Sequence, residues 1–192
     1  LELIVVEGQL DGDSVCTNLT RLEILLEQYG PDRVSCVLSC SSCFAPRCPD
    51  NLVGIGELCQ KYGVHHVVNN AYGLQSSKAV HLLNESARTA RLDLFIQSTD
   101  KNFMVPVGGS VIAGPNEEFL EDVKSVYPGR ASSSPVIDLV ATLFYLGVGG
   151  YEEVLADRRR LYKTLVERIK QRGSEWLLDC RRNDISLAIR LD

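Results

Sequence analysis

Apolar residues in this chain form short unbroken runs, separated by longer stretches in which they recur every three or four positions. Residues 3–6, 34–38, 64–68 and 92–97 are runs of strand length. Strands buried on both faces read in this way. Between them, 19–29 carries apolar side chains at 19, 22, 25 and 26 and stops at Gly30-Pro31. The stretch 52–62 is closed by Gly63, and 77–91 keeps the helical period. Residues 107–113 read as one more apolar strand, lying beside 92–97. Asn116 caps a helix whose first turn carries Glu117 and Glu118, where carboxylates suit the helix dipole. Helices at 135–146 and 151–172 follow.

Strands alternating with helices in this way predict an α/β fold, with a mainly parallel sheet sandwiched by helices. The pattern changes near Gly173. Residues 1–150 read as part of a large α/β domain, 151–173 as a long connecting helix, and 174–192 as the start of a small α+β domain. The chain begins at Leu1 and stops at Asp192 inside strand-like patterns, which predicts a fragment of a longer protein.

Ligands of open α/β sheets gather outside the carboxyl ends of the strands. That rule singles out 39–44, 69–73 and 97–102, three polar segments predicted to form one site. Lys101 supplies an amine there. A lysine so placed suits a Schiff base with a carbonyl cofactor. Ser98 sits near enough to contact a cofactor phosphate, Asn69 or Asn70 can approach a ring, and Ala71 can lie flat against one.

Composition narrows the classes. Of 192 residues, 45% are hydrophobic and 23% charged, as in ordinary globular proteins. The net charge of −5 argues against a generally basic nucleic-acid binder, though not against a local basic patch. No apolar run is read as long enough to span a bilayer. Seven cysteines in a chain of this size point to reduced thiols. Cys36, Cys40, Cys43 and Cys48 are separated by three, two and four residues, which is not the paired-knuckle spacing of a zinc site, so no metal is expected. His65 and His66 in an apolar strand read as packing residues, and Arg158-Arg159-Arg160 as a solvated helix face.

Four segments carry a resemblance to a known family: Ser42-Cys43-Phe44-Ala45-Pro46-Arg47, residues 68–78, residues 97–109, and Tyr127-Pro128-Gly129-Arg130-Ala131-Ser132. In this order they resemble the O-phosphoseryl-tRNA(Sec):selenocysteinyl-tRNA synthase family, of the type I pyridoxal-phosphate fold. The likeness runs over nearly the whole chain. It implies conversion of O-phosphoseryl-tRNA(Sec) to selenocysteinyl-tRNA(Sec) with selenophosphate, by a cytoplasmic homotetramer built as a dimer of dimers. It also implies that Lys101 is the Schiff-base lysine of pyridoxal 5'-phosphate. Asn69, Ala71, Ser98 and Ser41 are then cofactor contacts, Arg130 binds the substrate phosphate, and Arg88 touches the tRNA. Asn69 stands where most type I enzymes carry an aspartate. A neutral amide holds the ring nitrogen's proton less firmly than a carboxylate does.

Overall fold

In the computed structural model, which describes residues 2–127, 129 and 132–191, the helices begin and end where capping chemistry puts them. Asn18 accepts the Arg21 N–H at 2.9 Å and opens α1 (Leu19–Tyr29). Asn51 accepts the Gly54 N–H at 3.0 Å and opens α2 (Leu52–Tyr62). Gly63 closes α2 with φ 68, a left-handed cap that a side chain would strain. Ser76 opens α3 (Ser77–Thr89) and Asn116 opens α5 (Glu117–Ser125), each accepting a backbone N–H three residues on. α1, α2 and the Asn116 cap match the sequence reading, and α3 ends two residues early.

The hairpin β1 (Gln9–Asp11) and β2 (Ser14–Cys16) precedes a four-stranded sheet. That sheet runs in the order β3 (Cys36–Cys40), β4 (His65–Asn69), β5 (Leu94–Ser98), β6 (Ser110–Ala113). β3, β4 and β5 are parallel, and β6 returns antiparallel beside β5. The expected strand at 3–6 does not form: it has no partner ladder, and Leu3 and Val5 are exposed.

Sheet coverage differs from expectation within this chain. α1 and α2 pack Leu22, Leu26, Ile55 and Cys59 with Val64, while α2 and α3 pack Leu52 and Leu83 with Val68 and Leu92. These clusters lie on one face of the sheet. On the other, Leu38, Ile96 and Ile112 stay exposed. The cause is topological. Crossovers are right-handed, and successive crossovers stepping the same way, β3 to β4 to β5, put both helices on the same side.

A short helix, α4 (Asp100–Phe103), follows β5. The two helices expected near the end are one helical run, α6 (Ser134–Arg172), kinked at Gly147 (φ 60). By length and composition α6 is apolar enough to cross a membrane, which the sequence reading missed because Asp138 and the glycines interrupt its apolar stretch. Beyond it, a 3-10 turn at Ser174–Trp176 and a lone antiparallel bridge, Leu177 to Ile189, lead back onto the loop after β3. There Asn183 Nδ2 donates to Cys43 O at 2.7 Å and to Arg47 O at 2.8 Å.

Candidate active site

The three polar segments at the carboxyl ends of β3, β4 and β5 converge, as expected. Their junction is a buried amide network. Asn70 is 1% exposed; its Oδ1 accepts the Ser41 hydroxyl and its Nδ2 donates to Gln97 Oε1 at 2.7 Å. Gln97 Nε2 donates onward to Ala71 O at 3.1 Å, and Asn102 Nδ2 donates to the same carbonyl at 2.7 Å and to Ser98 O at 2.6 Å. Each strand end is therefore tied to the next. Gly73 is required beside this network, because a Cβ there would lie 1.8 Å from Asn70 Oδ1.

Lys101 stands above the network on α4, with its side chain exposed. Its Nζ lies 4.8 Å from the centroid of the Tyr72 ring, a cation–π contact. Tyr72 is held in turn: its N–H donates to Ser42 Oγ at 2.9 Å, and Phe44 packs edge-on against its ring at 5.1 Å. Among the described residues Lys101 has no carboxylate partner. An amine on a rigid mouth, without an ion pair to hold it, is available for chemistry.

The other predicted residues divide. Asn69 pairs with Ile96 at the strand end and is exposed; its Oδ1 accepts the Ala71 N–H at 3.1 Å, so its Nδ2 points its donors elsewhere. Asn69, Ala71, Ser98 and Lys101 share the mouth. Ser98 Oγ donates to Asp100 Oδ1 at 2.5 Å. Ser41 is fully buried and ties Asn70, so in this structure its role is to hold the strand ends rather than to offer an open hydroxyl. Arg88 is exposed in the last turn of α3, about 16 Å along the helix from Ser77, and does not join the mouth. Arg130 lies outside the described residues.

Sequence reasoning placed Gln97 and Tyr72 in the converging segments without giving either a role, and missed Gln75 and Arg158. Gln97 carries a readable signal, a lone amide in an apolar strand. Arg158, expected on a solvated face, is half-buried with its guanidinium in four hydrogen bonds. Among the described residues no three His, Cys, Asp or Glu side chains are grouped as a metal site.

Comparison with known proteins bears on the family and the fold. The family described as "O-phosphoseryl-tRNA(Sec) selenium transferase, SepSecS" matches residues 1–192. The O-phosphoseryl-tRNA(Sec) selenium transferase of Dictyostelium discoideum is 45% identical over 192 residues, covering 98% of this chain and 40% of that protein. The one from Methanopyrus kandleri is 38% identical over 181 residues, covering 94% and 40%. The chain thus spans about two-fifths of the length of these curated relatives. Among solved structures, an archaeal O-phosphoseryl-tRNA(Sec) selenium transferase superposes with a TM-score of 0.81 at 29% identity, over 91% of this chain and 41% of the other. Apo mouse CSAD superposes at 0.64 with 20% identity, over 87% and 39%, a likeness of fold alone. The fold is that of the type I pyridoxal-phosphate-dependent enzymes.

Proposed function

Because this chain belongs to the O-phosphoseryl-tRNA(Sec) selenium transferase family, we propose that the protein carrying it converts O-phosphoseryl-tRNA(Sec) to selenocysteinyl-tRNA(Sec) with selenophosphate as donor. The observation that carries the reading is the Lys101 amine, exposed over Tyr72 at the mouth where three parallel strands end.

The side chains fit pyridoxal 5'-phosphate at its aldehyde and ring. Lys101 is the amine for the aldehyde, the Asn69 carboxamide suits the ring, and Ala71 is small enough to lie beside it. Asn102 Oδ1 is buried with no partner among the described residues, an acceptor at this same mouth. Ser98, the proposed contact of the cofactor phosphate, donates its hydroxyl to Asp100 Oδ1. When bound, the cofactor supplies an electron sink that lets the substrate lose its Cα proton and then its Cβ phosphate. Lys101 would hold the cofactor at its aldehyde and, as a free amine, would take the proton from Cα. Tyr72 keeps the amine at the mouth.

Arg130 is the proposed ligand of the substrate phosphate, because a guanidinium makes paired charge-assisted bonds to such a group. Arg88, away from the mouth and exposed, is proposed to meet the tRNA, and that contact should weaken with salt. A cytoplasmic homotetramer, a dimer of dimers with no membrane association, completes the reading. So does the division into 1–150, 151–173 and 174–192.

Lys101→Ala in the full-length protein tests it. Conversion of O-phosphoseryl-tRNA(Sec) should fall at least about a thousandfold, as expected when a covalent catalyst is removed. Borohydride should no longer fix a pyridoxyl group in the 98–104 peptide. A variant that keeps wild-type turnover ends the proposal.

A further inference from the structure

Lys101 is attached to the rest of the molecule through its main chain as well as through its side chain. α4 is only four residues long, so its last carbonyls have no partner inside the helix. Gln75 supplies one, donating from Nε2 to Lys101 O. The other end of the same amide is held by Arg158. Its Nε donates to Gln75 Oε1 at 3.1 Å and its Nη1 to Gln75 O at 3.3 Å. Arginine only donates, so the amide oxygen must face it and the NH2 must face Lys101. The orientation of Gln75 is therefore fixed by chemistry.

Arg158 reaches a third piece of chain. Its Nη2 donates to Asp184 O at 2.7 Å and to Ile185 O at 3.2 Å. That segment adjoins Asn183, which is itself locked to the loop after β3. One guanidinium thus joins the middle of α6, the 3-10 turn at Gly73–Gln75 and the C-terminal segment, and one amide passes the connection to the lysine.

We propose that Arg158 and Gln75 are positioning residues for Lys101, fixing its main chain against α6 and the 184–185 segment so that the amine is presented over Tyr72. The proposal rests on Lys101 being the cofactor-binding lysine. In this role both act through the lysine's backbone.

Gln75→Glu separates positioning from folding, in the full-length protein. A carboxylate still accepts from Arg158, but it cannot donate to Lys101 O. Melting temperature should hold or rise. Amide exchange in residues 100–104, measured without cofactor, should quicken about three- to tenfold, the loss of one hydrogen bond. Borohydride trapping of a pyridoxyl group on Lys101 should slow by a similar factor and shift in its pH profile. Arg158→Lys, which keeps the charge but not the fork, should show the same two changes with a lower melting temperature. If the carboxylate variant does not fold, Gln75→Leu is read by the same two measurements. Wild-type exchange and trapping in the folded variants would overturn the positioning role while leaving Lys101 as the cofactor lysine. A wild-type protein that yields no pyridoxyl-Lys101 overturns both.

Discussion

At the amino end of the sheet, Asp93 Oδ2 accepts the His66 N–H at 2.8 Å and Arg91 Nε at 2.9 Å, while its Oδ1 accepts from Arg91 Nη2 and Asn116 Nδ2, each at 3.3 Å. His66 is fully buried with Nδ1 on Arg91 O and Nε2 on Ser39 Oγ, both at 2.8 Å. Since a carbonyl only accepts, Nδ1 carries the proton and Nε2 takes the serine's. At the carboxyl end the amides of Asn70, Gln97 and Asn102 are just as deeply interlocked. They stop short, however, of Lys101 Nζ, Asn69 Nδ2 and Asn102 Oδ1. One end consumes its hydrogen-bonding capacity internally and is a brace; the other leaves an amine and amide groups over and is a site.

The sharpest way to break that comparison is Asp93→Ala. The change strands a buried backbone N–H and the Arg91 guanidinium, and should cost about 3–4 kcal/mol in equilibrium denaturation. Trapping of cofactor on Lys101 by the remaining folded protein should not change. A brace that also controlled Lys101 would contradict the division of labour between the two ends.

Much of this was readable in advance, and the boundary is physical. The limits of α1 and α2 follow from Asn18, Asn51 and Gly63, local signals that act within four residues. The convergence of 39–44, 69–73 and 97–102 follows from strand order alone. The Ser41–Asn70–Gln97 chain was not readable: it joins residues 27 to 29 positions apart and depends on the β3–β4–β5 register. Arg158 was misread for a similar reason. Its charged neighbours describe a solvated face, and nothing in the helix sequence announces that Gln75 and Asp184 lie 83 and 26 residues away in the chain but within reach.

Acid should expose the brace before it exposes the site. Burial, opposed by the Arg91 carbonyl and Asp93, holds the His66 imidazole below its ordinary value. The unfolded chain therefore binds a proton that the folded one refuses, and stability falls as the pH drops below about 6.5, the ordinary histidine value. Asp93 acts lower. Burial alone would raise its carboxyl, but Arg91, the His66 N–H and His65 outweigh that and hold it at about 2. Its contribution is complete above the ordinary carboxylate value of about 3.9 and is lost as the pH falls from there toward 2. Denaturation midpoints measured from pH 8 to pH 2 should decline in these two stages. His66→Gln should remove the upper stage and keep the lower one.

The smallest effect compares the two ends of a single strand, β3. Cys36 opens it and is exposed as a residue, yet burial of its thiol pushes the pKa above the usual range. Cys40 closes it beside Asn69, and the hydrogen bond from Cys43, aided by Arg47 and opposed by burial, brings its thiol down to about 7. At pH 7 such a thiol is about half thiolate, against about 3% for one near 8.5. That sixteenfold gain, roughly, is offset by a nucleophilicity loss of about sixfold, because reactivity falls with basicity. Iodoacetamide at pH 7 should therefore label Cys40 at least about threefold faster than Cys36, although Cys36 is the more exposed. Raising the pH to 9 should reverse the order, since Cys36 then gains thiolate and is both the more basic and the more exposed nucleophile. If Cys36 leads at both pH values, the carboxyl end of this strand has no special hold on its charged groups, and the contrast between brace and site must rest on Lys101 alone.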